Sequence, residues 1–358
     1  MENRQIVLTH YADGVEPSPA HFALRPAAMP VAKEGEVLLE TLYLSVDPYM
    51  RGCMTGVERH HYFPQFALQA PIVSLGVARV IESKHERLRA GDVVEGMMAW
   101  QDYSASGCDG ALLAGTGLRK LDRNIRKLSH AVGALGMPGM NAYFGTLDVA
   151  RPRPGDTMVI SGAAGAIGAL AGQIARLRGA RVIGLAGSEQ KRRFLTEQLG
   201  FDHALDYKSP TLKDEIVALC PNGPDIYFDN VGGATSQAVM WTMRKPARIV
   251  ECGQVSTYND KGGGWLVDIW PIHANQLRME SFVGNSYAEF FPAGIAQLAH
   301  WIEAGKVQAL ETIYEGLEAA PAAFIGLLKG NNLGKMVVRV NGGDDGARGD
   351  DEAFGAGR

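Results

Sequence analysis

Residues 157–191 read TMVISGAAGAIGALAGQIARLRGARVIGLAGSEQK, and the rest of the chain is best read outward from them. Residues 157–161 form a short apolar, β-rich run, residues 166–178 an Ala/Leu/Ile-rich helical pattern that stops at Gly179, and residues 181–186 a second apolar run. The turn between the first two carries Gly162, Gly165 and Gly168. Glycines at this spacing let the backbone approach a pyrophosphate without Cβ clashes, while helix N–H groups and the positive dipole end face the anion. Alone, such a turn also fits a helix packed closely on a strand. The end of the second strand adds what is missing. An NAD site usually places Asp or Glu there for the ribose 2′-OH, whereas this chain has Ala186, Gly187 and Ser188, which leave room for a 2′-phosphate. Lys191, Arg192 and Arg193 follow at the start of the next helix, and Tyr207-Lys208 after the third strand region, so cations are at hand for that phosphate. Glu189 dissents, yet it sits past the strand end, where it favours the N-terminus of its own helix. A dinucleotide-binding unit that prefers NADPH is expected.

The chain has 358 residues, 46% hydrophobic and 21% charged, which is ordinary for a globular protein with room for about two domains. A net charge of -4 gives no electrostatic case for nucleic acid or an anionic membrane. No run approaches the roughly 18 apolar residues of a membrane span, and the first ten residues lack the apolar core of a secretory signal, so a cytoplasmic protein is expected. Cys53, Cys108, Cys220 and Cys252 are scattered without C-x-x-C pairing. That argues against a disulfide framework and a cysteine zinc site, and they read as small buried apolar residues.

Residues 5–126 are strand-like and turn-punctuated, with Val/Leu/Ile-rich runs at 36–46, 73–82 and 92–100, and predict a compact, barrel-like β domain. The loop after the first of these runs, LSVDPYMRG from Leu44, is placed to present Tyr49 to a cleft, or to make a turn at Asp47-Pro48 with Tyr49 covering core edge. His60-His61-Tyr62-Phe63-Pro64 reads as a loop, because adjacent histidines on a strand face opposite ways and no partner lies at metal-ligand spacing. Trp100 to Tyr103 reads as packing at the end of the strand series. The glycines and Pro138 in GMPGMNAYF, residues 136–144, suggest an interdomain hinge. Helices at 190–199, 212–220, 235–243 and 295–304 and strands at 225–229 and 248–252 continue the alternation, which predicts a parallel, doubly wound sheet. Ligands of such sheets sit beyond the strand ends, so the loops from Asp229 and Cys252 should border the nicotinamide half of a cofactor. A helix at 324–328 and a strand at 335–340 close the ordered chain, and residues 342–358, Gly/Asp-rich, read as a disordered tail.

These residues resemble the zinc-independent branch of the medium-chain dehydrogenase/reductase superfamily that holds prostaglandin reductases, plant alkenal double-bond reductases and bacterial curcumin reductases. The motifs that carry the resemblance are LSVDPYMRG at Leu44, GMPGMNAYFG at Gly136, GAAGAIG at Gly162, FDNVGG at Phe228, CGQVSTYN at Cys252, LRMESF at Leu277 and FIGLLKGNNLGK at Phe324. It implies a Rossmann domain, residues 129–308, inserted into a GroES-like barrel, residues 1–128 and 309–341, in a homodimer. It also implies NADPH-dependent reduction of a carbon–carbon double bond conjugated to a carbonyl. Carried over by position, Gly165, Ala166, Ile167 and Gly168 would lie on the pyrophosphate, and Lys191 and Tyr207 on the 2′-phosphate. Asn230, Cys252, Gly253, Ser256, Tyr258, Phe282, Val283, Gly284 and Asn332 would complete the cofactor site.

The chain has no match for the family's zinc ligands, so no metal is expected and carbonyl polarisation falls to hydrogen-bond donors. The eicosanoid and plant branches carry a tyrosine three residues before the LRM motif; here that position is Ala274, which points to the curcumin-reductase branch. The donor is a phenol or the nicotinamide ribose 2′-OH; among the phenols Tyr49 and then Tyr258 are expected, each alternatively a cofactor-packing or wall residue, with Tyr287 and His273 behind them. A tyrosine of ordinary pKa, about 10, is a protonated donor at neutral pH. The alternatives are a quinone reductase of the same superfamily and a silent NADPH-binding redox sensor. The glycine run at 262–264 suggests a flap over substrate.

Overall fold

Apolar runs from both ends of the chain pair with one another, and the middle builds a sheet of its own. In the computed structural model, which describes residues 2–57, 64–108, 117–122, 125–260 and 266–341, β1 (Asn3–Leu8) and β2 (Phe22–Ala27) form an antiparallel ribbon. Next come β3 (Glu36–Ser45), β4 (Val73–Ser83), β5 (Val93–Ala99), β6 (Tyr103–Gly107) and β7 (Leu118–Lys120) of a seven-stranded sheet. β3 alternates half-buried and buried positions at first and is buried throughout from Thr41 to Ser45. Register shifts between Leu38 and Leu39 and between Thr41 and Tyr43 coincide with that change, as bulges that bend a strand around a core do.

The middle alternates helix and strand: α1 (Met137–Phe144), β8 (Thr157–Ile160), α2 (Ala166–Leu177), β9 (Arg181–Leu185), α3 (Glu189–Glu197) and β10 (His203–Leu205). A second half repeats the alternation with α4 (Leu212–Leu219), β11 (Ile226–Asp229), α5 (Gly233–Met240), β12 (Arg248–Glu251), α6 (Trp270–Ala274), β13 (Arg278–Ser281) and α7 (Phe291–Glu303). The six strands form one parallel sheet in the order β10-β9-β8-β11-β12-β13. That is the doubly wound order, whose switch point lies between the first and fourth strands. The central β11 is buried at every residue, as a sheet covered on both faces requires.

β14 (Glu311–Glu315), α8 (Ala320–Leu328) and β15 (Lys335–Arg339) then return to the first sheet, where β15 pairs antiparallel with β3. The fold is mixed α/β, a parallel sheet joined to an N-terminal sheet domain. Separate cores lie under the two sheets, one around Phe228, Ile174 and Leu170, the other around Leu39, Trp100 and Phe324. Trp100 is fully buried, and its Nε1 donates to Ser74 Oγ at 2.9 Å, so its role is packing.

Several elements depart from the sequence expectation for a shared reason. α7 starts at Phe291 and α8 at Ala320, each about four residues early, because Pro292 and Pro321 sit in the first helical turn, where proline is tolerated. α5 runs from Gly233 to Met240 and starts early too, launched from Gly232 at φ +71. The glycines read as a hinge have a packing role: a Cβ on Gly136 or Gly139 would overlap the carbonyls of Ala131 and Ala134. Residues 60–63, the glycine run 262–264 and the expected tail 342–358 lie outside the described residues.

Candidate active site

At the switch point the glycine turn opens into a cleft of about 2230 Å³ between the two sheets. Gly162 takes φ +58, a conformation that favours glycine. A Cβ on Gly168 would lie 2.5 Å from the Gly162 carbonyl oxygen and 2.8 Å from Ala163 Cα, so the first turn of α2 sits directly on the loop. The first helical amide bonded within α2 is that of Ala169, to Gly165, and no side chain caps the helix. The amides of Ala166, Ile167 and Gly168 therefore face the cleft end without an intrahelical acceptor. This cradle fits a pyrophosphate.

Beyond β9 the small residues Ala186, Gly187 and Ser188 line the cleft, and the space they leave is taken by Tyr207. A Cβ on Gly187 would come within 2.7 Å of its ring. Ser188 caps α3 by accepting from Lys191 N, with Glu189 in the first turn. Lys191 and Lys208 line the cleft, and among the described residues neither is in an ion pair. Lys191 Nζ donates to Gly330 O at 2.6 Å. Burial, and after it the charge of Lys208, hold Lys191 below the usual lysine pKa. The other two expected cations are spent elsewhere: Arg192 pairs with Asp206 at 2.9 Å, and the exposed Arg193 with Glu197 at 3.0 Å along its own helix.

The ends of β11 and β12 form the other half. Asp229, buried, accepts from Ser161 Oγ and Tyr227 OH at 2.8 Å, from Val231 N at 2.9 Å and from Gly232 N at 3.0 Å. It also accepts from Ser236 Oγ. One carboxylate thus shapes the whole 229–232 turn and leaves Asn230 in the cleft, its Nδ2 donating to Ser161 O at 2.7 Å. Burial, and then Asp229, push the Glu251 carboxyl up to about 8. Cys252, Gly253, Ser256 and Tyr258 line the cleft from the following loop, with Ser256 Oγ bonded to Val231 O at 2.6 Å. Burial, and then the carboxyl groups of Glu251 and Asp229, raise the Cys252 thiol above its usual range.

Tyr49 enters from the opposite wall, on a short 3-10 helix, Pro48–Met54, where it also packs against the barrel core. Asp47, just before it, pairs with the buried Lys335 at 3.1 Å and accepts from Ser45 Oγ. Just after it, Arg51 is fully buried and reaches across to the Tyr258 loop, donating from Nε to Asn259 Oδ1 at 2.6 Å. Its other bonds, to the carbonyls of Ala12 and Val15, tie the same helix to the N-terminal segment. The two segments that carry the candidate tyrosines are therefore joined by one hydrogen bond.

Val283, Gly284 and Asn332 also line the cleft. Asn332 Nδ2 donates to Gly334 O at 2.7 Å, and Gly334 N to Ala164 O at 2.8 Å, which ties the return loop to the glycine turn. Other expectations fall outside the cleft. The Phe282 ring packs beside Phe228 over Gly145 and meets Tyr287 edge-on. Tyr287 stacks on Phe144 and donates to Asp148 at 2.7 Å; burial first, then that bond, pushes its hydroxyl up to about 12. His273 is exposed on α6 against Trp270. Sequence reading missed Asp229, Ser161, Arg51 and Asn259 as organisers. Three of them were in quoted motifs, but no periodicity distinguishes a buried hydrogen-bonding hub from a polar loop residue.

Residues 4–113 match the family model described as the N-terminal domain of oxidoreductase, and residues 166–318 the one described as zinc-binding dehydrogenase. The chain is 39% identical over 348 residues to the NADPH-dependent curcumin reductase of Escherichia coli, covering 96% of this chain and 98% of that one. It is 40% identical over 332 residues to prostaglandin reductase 1 of Mus musculus, covering 90% and 95%. Its structure matches that of CurA from Vibrio vulnificus in complex with NADPH at a TM-score of 0.87, with 38% identity over 95% of this chain and 100% of that chain. The second family model names zinc; among the described residues no three His, Cys, Asp or Glu side chains come together as a metal site.

Proposed function

The chain belongs to the medium-chain dehydrogenase/reductase superfamily, in the branch of the curcumin, prostaglandin and alkenal reductases, and we propose that it is an NADPH-dependent reductase of the carbon–carbon double bond in α,β-unsaturated ketones and aldehydes. The observation that carries this is the continuity of one cleft, from Lys191 and Lys208, past the glycine turn, to Tyr49 and Tyr258. Anion-binding and phenolic groups share a single space.

When bound, NADPH supplies the hydride that enters the β-carbon of the substrate. Ala166, Ile167 and Gly168 hold the pyrophosphate through backbone amides beside Gly165, whose own amide bonds Gly162 O, and Lys191, Tyr207 and Lys208 hold the 2′-phosphate. Asn230, Cys252, Gly253, Ser256, Tyr258, Val283, Gly284 and Asn332 surround the remainder. The chain's own chemical task is at the carbonyl oxygen, where charge develops as the β-carbon is reduced. A phenol O–H donated to that oxygen stabilises it; Tyr49 is the first donor and Tyr258 the second. The α-carbon takes the final proton.

The labour divides between a substrate-side unit of residues 1–128 and 309–341 and a cofactor unit of residues 129–308. We place the protein in the cytoplasm; no described helix is long and apolar enough to cross a membrane. We also expect a homodimer, which light scattering tests directly. Its support is the outer edge of β13, the last strand of the parallel sheet, with Met279 and Trp270 exposed nearby.

The function is tested by following NADPH consumption with an aryl-vinyl ketone, a medium-chain alkenal, curcumin and a quinone, with NADH as control. Saturated carbonyl products and a preference for NADPH are expected. Turnover of the quinone alone would move the protein to quinone reduction, and tight NADPH binding with no turnover would leave a sensor.

A further inference from the structure

α8 ends in a Schellman arrangement, Gly330 N bonding Leu327 O and Asn331 N bonding Gly326 O, both at 2.9 Å, with Gly330 at φ +71. The Gly330 carbonyl thus sits at the negative end of the helix, where a cation is favoured. Lys191 takes that place, its Nζ donating to Gly330 O at 2.6 Å. Lys191 belongs to α3, between β9 and β10 of the parallel sheet, whereas Gly330 opens the loop that leads into β15 of the other sheet. The hydrogen bond therefore joins the phosphate end of the cleft to the loop by which the chain returns.

That loop is anchored at each later step. Asn332 Nδ2 bonds Gly334 O, Gly334 N bonds Ala164 O beside the glycine turn, and Lys335 Nζ bonds Val46 O at 2.7 Å and pairs with Asp47 at 3.1 Å. Asp47 directly precedes the 3-10 helix that carries Tyr49. One short span, from Gly330 to Lys335, thus runs from the phosphate lysine to the start of that helix. Without a ligand the Lys191 bond forms against opposition, because burial disfavours the ammonium and Lys208 repels it. A phosphate dianion pairing with both lysines offsets both costs. An ammonium has three N–H groups, so Lys191 can hold the phosphate and Gly330 together. We propose that Gly330 is a specificity-determining residue: a 2′-phosphate on Lys191 tightens the bond to Gly330 and with it the span to Tyr49, so that the phosphate speeds hydride transfer as well as strengthening cofactor binding. Binding energy from a group remote from the reacting atoms is then used in turnover. The inference rests on the NADPH reading above and deepens it.

The test is the single-turnover rate of hydride transfer to an aryl-vinyl ketone, at saturating NADPH and at saturating NADH, so that affinity drops out. The wild type should transfer hydride about tenfold faster from NADPH. Gly330→Ala places a Cβ 3.9 Å from Lys191 Nζ at a φ that strains alanine, and should narrow the ratio of the two rates severalfold. A defect of general structure slows both cofactors and keeps the ratio. Equal wild-type rates overturn the proposal, as does a Gly330→Ala variant with the wild-type ratio. The wild-type comparison decides the matter even where the variant fails to fold. Hydride transfer from neither cofactor overturns the reductase reading itself. Failure to bind both NADP+ and 2′-phospho-ADP-ribose, which lacks the nicotinamide ring, overturns the NADPH reading.

Discussion

Gly168 has no room for a side chain, since the Gly162 carbonyl lies 2.5 Å from where its Cβ would be. Gly168→Ala must displace backbone at the pyrophosphate turn, and should weaken NADPH binding about tenfold or more while leaving the fold intact; titration of the variant checks it. Lys191 works by charge. Lys191→Ala should raise KM for NADPH roughly tenfold or more and narrow the preference over NADH, and an unchanged ratio would contradict the 2′-phosphate assignment. A lysine holds a phosphate only while protonated, and burial with Lys208 nearby lowers Lys191 from its usual value. The NADPH preference in kcat/KM should therefore fall as pH rises toward the lysine range, starting earlier than for a solvated lysine. Lys191→Arg should flatten that fall, because arginine stays charged. At this scale the glycine turn and its place in the cleft were legible, because glycines announce a tight strand-to-helix turn by type. Arg192 and Arg193 were not, since their pairing with Asp206 and Glu197 depends on which helix face each occupies.

Element ends carry the next level of specification. α2 stops in a Schellman arrangement, Ala180 N bonding Ala175 O and Gly179 N bonding Arg176 O, with Gly179 at φ +82 and its Cβ position 3.2 Å from Pro154. Gly179→Ala should cost about 1–2 kcal/mol of stability, seen as a lower Tm with unchanged KM. The glycine stop was readable in sequence; the starts of α7 and α8 were not, because a proline looks like a breaker until its place in the first turn is known. The 3-10 helix bearing Tyr49 is a different case, held by Arg51 to the loop that carries Tyr258. Asn259→Ala removes the acceptor of that buried guanidinium bond, at a cost of about 1–3 kcal/mol. It should lower kcat severalfold and leave binding of 2′-phospho-ADP-ribose unchanged, since the phosphate residues lie at the other edge of the sheet. Loss of that binding as well would show that the bond serves general stability rather than the placing of the tyrosines.

Across the whole molecule, the chain leaves its first sheet after β7, builds the parallel sheet, and returns through β14 and β15 to pair with β3. That return puts the buried Lys335 beside Asp47, and its bonds to the carbonyls of Val46 and Met336 fix the strand from which the Tyr49 helix springs. Asp47→Ala leaves a buried lysine without its carboxylate and should destabilise by about 3–5 kcal/mol, partly restored by Lys335→Met in the same chain; thermal unfolding of the two variants checks it. The alternation of strand and helix made the parallel sheet legible. The return of the chain end to the first sheet was implied by the family resemblance, but the pairing of Lys335 with Asp47 was not legible, because the two are far apart in sequence and a lysine in a strand reads as solvent-facing until the sheet that covers it is seen. What the two sheets enclose is tested most directly by the fate of the transferred hydrogen. With NADPH deuterated at the transferring position and an aryl-vinyl ketone, the account predicts a saturated ketone with deuterium on the β-carbon. Deuterium on the carbonyl carbon of an allylic alcohol, or no labelled product from any enone, would contradict it.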